Sequence, residues 1–161
     1  MFARCLALVL VLMSCGPTKP EEPVQKIAMR KSGDQSFDVI LTRTGIGSFE
    51  QSSIGPNPSP PATGTFRLSS SEFEEIEGRL AEFRKEAVPL TDASLKEMVK
   101  RTCPKGVPIA FHRGAIYIRW VGKGFDQHYL GELSCDYQRN ASRNTKLNAS
   151  VEALTVLTGL P

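Results

Sequence analysis

Apolar and polar residues alternate with a period of two in several short stretches of this chain, and recur with a period near 3.6 in three others. Phe37, Val39 and Leu41 alternate with Asp38, Ile40 and Thr42, which predicts a strand over 37–44 with one buried side. Shorter runs predict strands at 26–30 and 65–68. The clearest helical pattern follows at 69–88, where Phe73, Ile76, Leu80, Phe83 and Ala87 are spaced 3-4-3-4 on one stripe. Ser69 and Glu72 have the spacing of a capping box, Leu68 and Phe73 are placed as its hydrophobic staple, and Pro89 stops the helix. Thr91 or Asp92 caps a shorter helix that carries Leu95, Met98 and Val99 on one face and ends before Pro104. A last helix over 142–158, capped near Asn140 or Ser142, aligns Leu147, Val151, Leu154 and Leu157.

Between the second and third helices the pattern predicts a β-meander, with strands at 108–112, 115–121 and 125–130. Its register follows from burial. If Lys123-Gly124 is a two-residue loop, Gly122 opposes Phe125, Ile118 opposes Tyr129 and Arg119 opposes His128. Ile116, Ile118, Trp120, Phe125 and Tyr129 then share one face, and Arg119, Asp126 and His128 share the other. A slip of one residue would set Asp126 and His128 among the apolar side chains, so the first register is favoured.

Residues 45–63 break the pattern with Gly45, Gly47, four prolines and several serines. They read as a long exposed loop, with composition favouring disorder and at most a weak strand around 48–52. The expected fold class is therefore α+β: an antiparallel sheet of about five strands, two longer helices (69–88 and 142–158) on one face, and one short helix.

The first 25 residues do not belong to this pattern. Arg4 precedes an apolar run ending at Met13, which is too short to span a bilayer core of roughly 20 residues but fits a secretory signal. Leu12-Met13-Ser14-Cys15 resembles the lipobox of bacterial lipoproteins, with an aliphatic residue at −3, a small residue at −1 and the acylated thiol. That resemblance implies removal of 1–14 and acyl chains on Cys15 that anchor the protein to a membrane. Gly16 stands where an aspartate would direct inner-membrane retention, so the resemblance slightly favours the outer membrane, with the domain facing the periplasm. Residues 15–25, with three prolines, form a tether. The globular domain is then 26–161.

Composition adds limits. Removing 14 of 161 residues leaves 147, enough for one domain. Loss of Arg4 leaves 19 of the 20 basic side chains against 17 acidic ones, a balance that does not point to nucleic acid. With Cys5 removed and Cys15 lipidated, Cys103 and Cys135 remain to each other in an oxidising compartment, which predicts a disulfide. No C-x-x-C, P-loop, H-E-x-x-H, nucleophile elbow or dinucleotide fingerprint is present, so no metal or cofactor is expected. Lys96, Lys100, Arg101 and Lys105 read as a solvated helix end.

The one polar constellation with chemical potential is Arg119, Asp126 and His128. Asp126 could orient His128 as a general base and Arg119 could hold an anion, provided a pocket encloses them. On the open face of a hairpin the same three residues form a solvated charge group, which is the favoured reading. Gly114-Ala115-Ile116-Tyr117, Trp120, Lys123-Gly124 and Cys135 are similar to a loop and following region of the membrane-bound lysozyme inhibitors. Arg113 stands where those have serine, the Tyr117-to-Trp120 spacing is shorter, and that resemblance implies a small β-barrel without the helices expected here. The leading expectation is a membrane-anchored envelope lipoprotein with a non-enzymatic domain that binds a protein or ligand. The alternatives are an envelope hydrolase using His128 and Asp126, and an inhibitor of a cell-wall lytic enzyme.

Overall fold

The computed structural model describes residues 22–53, 60–110 and 113–158. The expected signal peptide, Cys15 and most of the tether lie outside the described residues, as do Phe111, His112 and the side chain of Leu157. The chain runs β1 (Val24–Lys31), β2 (Gln35–Thr42), β3 (Ile46–Ser53), β4 (Ala62–Arg67), α1 (Ser70–Arg84), α2 (Asp92–Thr102), β5 (Ala115–Gly122), β6 (Phe125–Glu132) and α3 (Ala141–Thr158). The fold class is α+β. All the strands pair antiparallel in one sheet of order β4-β3-β2-β1-β5-β6, so the described residues hold six strands where about five are expected.

The extra strand comes from the segment read as a loop. Within 45–63, β3 occupies Ile46–Ser53, β4 starts at Ala62, and 54–59 lies outside the described residues. Here pairing supplies the apolar surface that β3 lacks on its own. Phe49 opposes Gly64 and Phe66 opposes Gly47 across the β3–β4 pair. A Cβ on Gly47 would fall 2.2 Å from Phe66 Cζ, and one on Gly64 would fall 2.5 Å from Phe49 Cε1. Each phenyl ring thus lies over the bare backbone of the neighbouring strand.

The β5–β6 register is the one derived from burial: Gly122 opposes Phe125, Ile118 opposes Tyr129 and Arg119 opposes His128. Of the expected first strand of the meander, 108–112, the described residues 108–110 are not in the sheet. Only Ile109 bridges to Cys135, with Ala110 N–H donating to Ser134 O and Asp136 N–H to Pro108 O. Pro108 has no N–H of its own to extend that ladder.

α1 begins with the expected capping box, in which Glu72 N–H donates to Ser69 Oγ (3.2 Å) and Ser69 N–H to Glu72 Oε2 (2.7 Å). It ends at Arg84, four residues short of the expected 88. Val88 leaves the helical path because its N–H and C=O bond to His128 on the outer edge of β6. α2 is capped by Thr91, which shares a second capping box with Ser94, and packs against β6. Cys103, just past α2, lies at disulfide distance from Cys135, with Cα atoms 5.4 Å apart.

Phe73, Ile76, Leu80 and Phe83 of α1 and Leu147, Val151 and Leu154 of α3 form one core with the inner face of the sheet, centred on Ile27, Leu41, Ile118 and Trp120. The two longer helices therefore share a face, as expected. Met98 of α2 is buried outside that cluster.

Candidate functional site

With α1 and α3 on one face, strand parity assigns the other face residue by residue. Across β5 and β6 it carries Tyr117, Arg119, Asp126 and His128; across β1 to β4 it carries Lys26, Arg30, Asp38, Ile40, Ser48, Glu50 and Thr65. Most of these are partly exposed, and Ile40 is 44% exposed. Two ion pairs cross this surface, Arg30 with Asp38 and Arg119 with Asp126.

The three site residues expected from the sequence do meet. Arg119 holds Asp126 with two parallel bonds, Nε to Oδ1 at 2.8 Å and Nη2 to Oδ2 at 2.6 Å, the forked geometry that suits a carboxylate. Asp126 Oδ1 lies 3.0 Å from His128 Nε2. The backbone explains the approach. His128 turns its N–H and C=O outward to Val88, so Arg119 and His128 form a non-hydrogen-bonded pair, the type whose side chains stand closest.

His128 departs from the solvated reading. It is only 4% exposed, whereas the side chains of Arg119 and Asp126 are 39% and 42% exposed. The segment through Val88 and Pro89 flanks it. Tyr117, which was not placed in the constellation, contacts His128 Nδ1 through its hydroxyl. The signal for it was present: Tyr117 and Arg119 are two residues apart on one strand and must share a face.

Burial pushes the His128 imidazolium below its ordinary pKa, against the opposing pull of the Asp126 charge. The hydrogen bond and charge of Arg119 hold Asp126 below the usual carboxylate range, and burial raises the Tyr117 phenol. A neutral ring satisfies every partner with one tautomer. Nε2–H donates to Asp126, and Nδ1 accepts from the Tyr117 hydroxyl.

This chain borders an open depression of ≈ 590 Å³ whose apolar wall includes Pro89, Leu90 and Phe125. Among the described residues, no serine or cysteine lines it. Both ring nitrogens of His128 are engaged, Nε2 by Asp126 and Nδ1 by Tyr117, so proton transfer to a ligand would have to pass through one of these two side chains. Among the described residues, no three of His, Cys, Asp and Glu gather as metal ligands, and no helix is long and apolar enough to cross a membrane.

The sequence matches no protein-family model, and no curated protein matches it. Of the residues similar to those of the lysozyme inhibitors, Ala115, Ile116, Tyr117 and Trp120 fall on β5, Gly114 precedes it, Lys123 and Gly124 lie in the β5–β6 turn and Cys135 follows β6, in a sheet whose edge strands β4 and β6 do not pair.

Proposed function

We propose that this protein is a lipid-anchored lipoprotein of a bacterial cell envelope, held through Cys15, whose domain is a non-enzymatic binding module. The observation that supports binding is the outer sheet face, where Ile40 stands half-exposed among Asp38, Ser48, Glu50 and Thr65 and where the ion pairs Arg30–Asp38 and Arg119–Asp126 hold charged side chains in place. An ordered, largely polar surface with an apolar centre suits recognition of a protein partner. The linked side chains Tyr117, His128, Asp126 and Arg119 fit this reading as a positioning network, because each bonds the next within the fold.

The tether fits as well. β1 begins at Val24, beside the β5–β6 turn, where Pro23 O lies close to Gly122. Residues 15–23 span at most about 30 Å when extended, so the domain would remain near the membrane surface. In an oxidising periplasm, Cys103 and Cys135 would be joined as a disulfide that fixes the end of α2 to the segment after β6.

The test has two parts. Cys15→Ala should release the protein from the membrane fraction of cells. A photo-crosslinking residue at Ile40 should give a discrete adduct in native envelopes, whereas one at Glu75, on the exposed side of α1, should not. Equal or absent adducts at both positions would overturn the assignment of the outer face. The hydrolase reading is favoured by one observation, the 3.0 Å contact between Asp126 and His128. It requires loss of hydrolysis on His128→Gln with the fold intact.

A further inference from the structure

A second depression lies at the opposite pole of the sheet from the tether. β1 carries the chain from Val24 to Lys31, and the turn Ser32–Asp34 together with Arg113, Tyr137 and the first half of α3 encloses a hollow of ≈ 360 Å³. That volume lies at the lower end of the range typical of small-molecule sites, roughly 300–1,000 Å³.

The rim is built. Ser32 is tied to β5 in both directions, its N–H donating to Ala115 O (2.8 Å) and its Oγ accepting from Ala115 N–H (3.0 Å). Asn144, 4% exposed, is fixed by donation to Leu133 O and by accepting from Arg143. The Arg113 guanidinium stacks on the Tyr137 ring, 3.5 Å from its centroid. Stacking holds the plane of the guanidinium and leaves its peripheral N–H donors for an acceptor that approaches edge-on.

Charge decides the class of ligand. Neither Lys31 nor Arg113 forms an ion pair with a carboxylate of the described residues. Among the described residues, two cations stand on the rim against one carboxylate, Asp34. Gln35 adds an amide, while Thr145 and Asn148 each donate to an α3 carbonyl, Ala141 O and Asn144 O, and keep their oxygens as acceptors for hydroxyl and amide partners.

We propose that this hollow binds a small monoanionic ligand through its carboxylate, with Arg113 and Lys31 as the anchoring cations and the amide and hydroxyl side chains reading neighbouring polar groups. The carboxylate belongs either to an acidic sugar or to the end of a peptide. This site is separate from the outer sheet face and does not depend on the function proposed for that face.

The experiment is an NMR titration of the full chain in detergent. The probes are N-acetylmuramic acid, its methyl ester, N-acetyl-alanylalanine, its C-terminal amide, and inorganic phosphate. The expected result is amide shifts confined to 31–35, 113–114 and 137–148, produced by an acid and not by its ester or amide. Response to the sugar acid or to the dipeptide identifies the source. Arg113→Ala should weaken that response at least about tenfold, the loss of a charge-assisted pair. Arg113→Lys should recover part of it, because the charge returns without the fork, and Lys31→Gln should weaken it independently. Equal shifts from acid and neutral derivative, response to phosphate alone, or no response in those segments overturns the proposal.

Discussion

Arg119 and His128, opposite one another across β5 and β6, share the carboxylate of Asp126, and Oδ1 alone serves both the Arg119 Nε at 2.8 Å and the His128 Nε2 at 3.0 Å. Asp126 therefore cannot turn toward one partner without loosening the other. The far side of the imidazole rests on Tyr117. Tyr117→Phe should leave buried Nδ1 without a partner, at a cost of about 1–3 kcal/mol. The urea midpoint should fall with an unchanged slope. An unaltered midpoint would show that the phenol contributes nothing to holding the ring.

The same burial sets a pH dependence. The folded-state pKa of His128 is depressed, whereas in the unfolded chain it is close to 6.5. The unfolded state thus takes up the proton first as the pH falls. The stabilisation is complete above about 6.5 and is lost as the pH drops from there through the folded-state value. Asp126 is also depressed, and its contribution is lost in a lower window, below its ordinary 3.8. Urea midpoints should decline between pH 7 and 5 in the parent protein and decline less in His128→Gln. Parallel pH profiles for the two would refute the assignment to His128.

The hairpin that carries this network was legible because β5 and β6 alternate strictly and a one-residue slip would bury charge. The caps of α1 and α2 were legible for a local reason: their hydrogen bonds join residues three apart. What could not be read locally was supplied by pairing. β3 has Phe49 as its one large apolar residue on the inner side, and its pattern becomes a strand only when Phe66 covers Gly47 and Gly64 accepts Phe49. The burial of His128 depends on Val88, forty residues away, leaving α1 early to bond its backbone. Tyr117 was missed by attention to charged residues, although parity placed it on the right face.

The glycine-phenylalanine pairs make a sharp mutational contrast. At Gly47 an added methyl would meet the Phe66 ring at 2.2 Å. Gly47→Ala should displace that ring and cost about 1–3 kcal/mol. Gly78, in the middle of α1, has nothing within 4 Å of an added Cβ. Gly78→Ala should instead stabilise the protein by about 0.5–1 kcal/mol through helix propensity. Thermal or urea unfolding of the two variants should move in opposite directions. A neutral Gly47→Ala would mean that the β3–β4 pair tolerates a side chain beneath Phe66.

Cys103 and Cys135 are 32 residues apart, and the segment between them contains the 108–110 stretch and the whole β5–β6 hairpin. In the chain-entropy treatment a crosslink closing a loop of that length contributes roughly 3–4 kcal/mol. Cys103→Ser should lower stability by about that amount, and the double variant Cys103→Ser/Cys135→Ser should fall by a similar amount, because the bond is lost once. The local effect should be selective. α2 buries only Met98 and Thr102 and lies outside the main core, so its amides should exchange much faster once the link is gone. Those of β1 and β2, central in the sheet and lined by Ile27, Met29, Val39 and Leu41, should lose protection only through the global change. Hydrogen exchange on oxidised and reduced protein distinguishes the two behaviours. Uniform loss of protection across the sheet and α2 would mean that the crosslink secures the whole fold rather than the attachment of one helix.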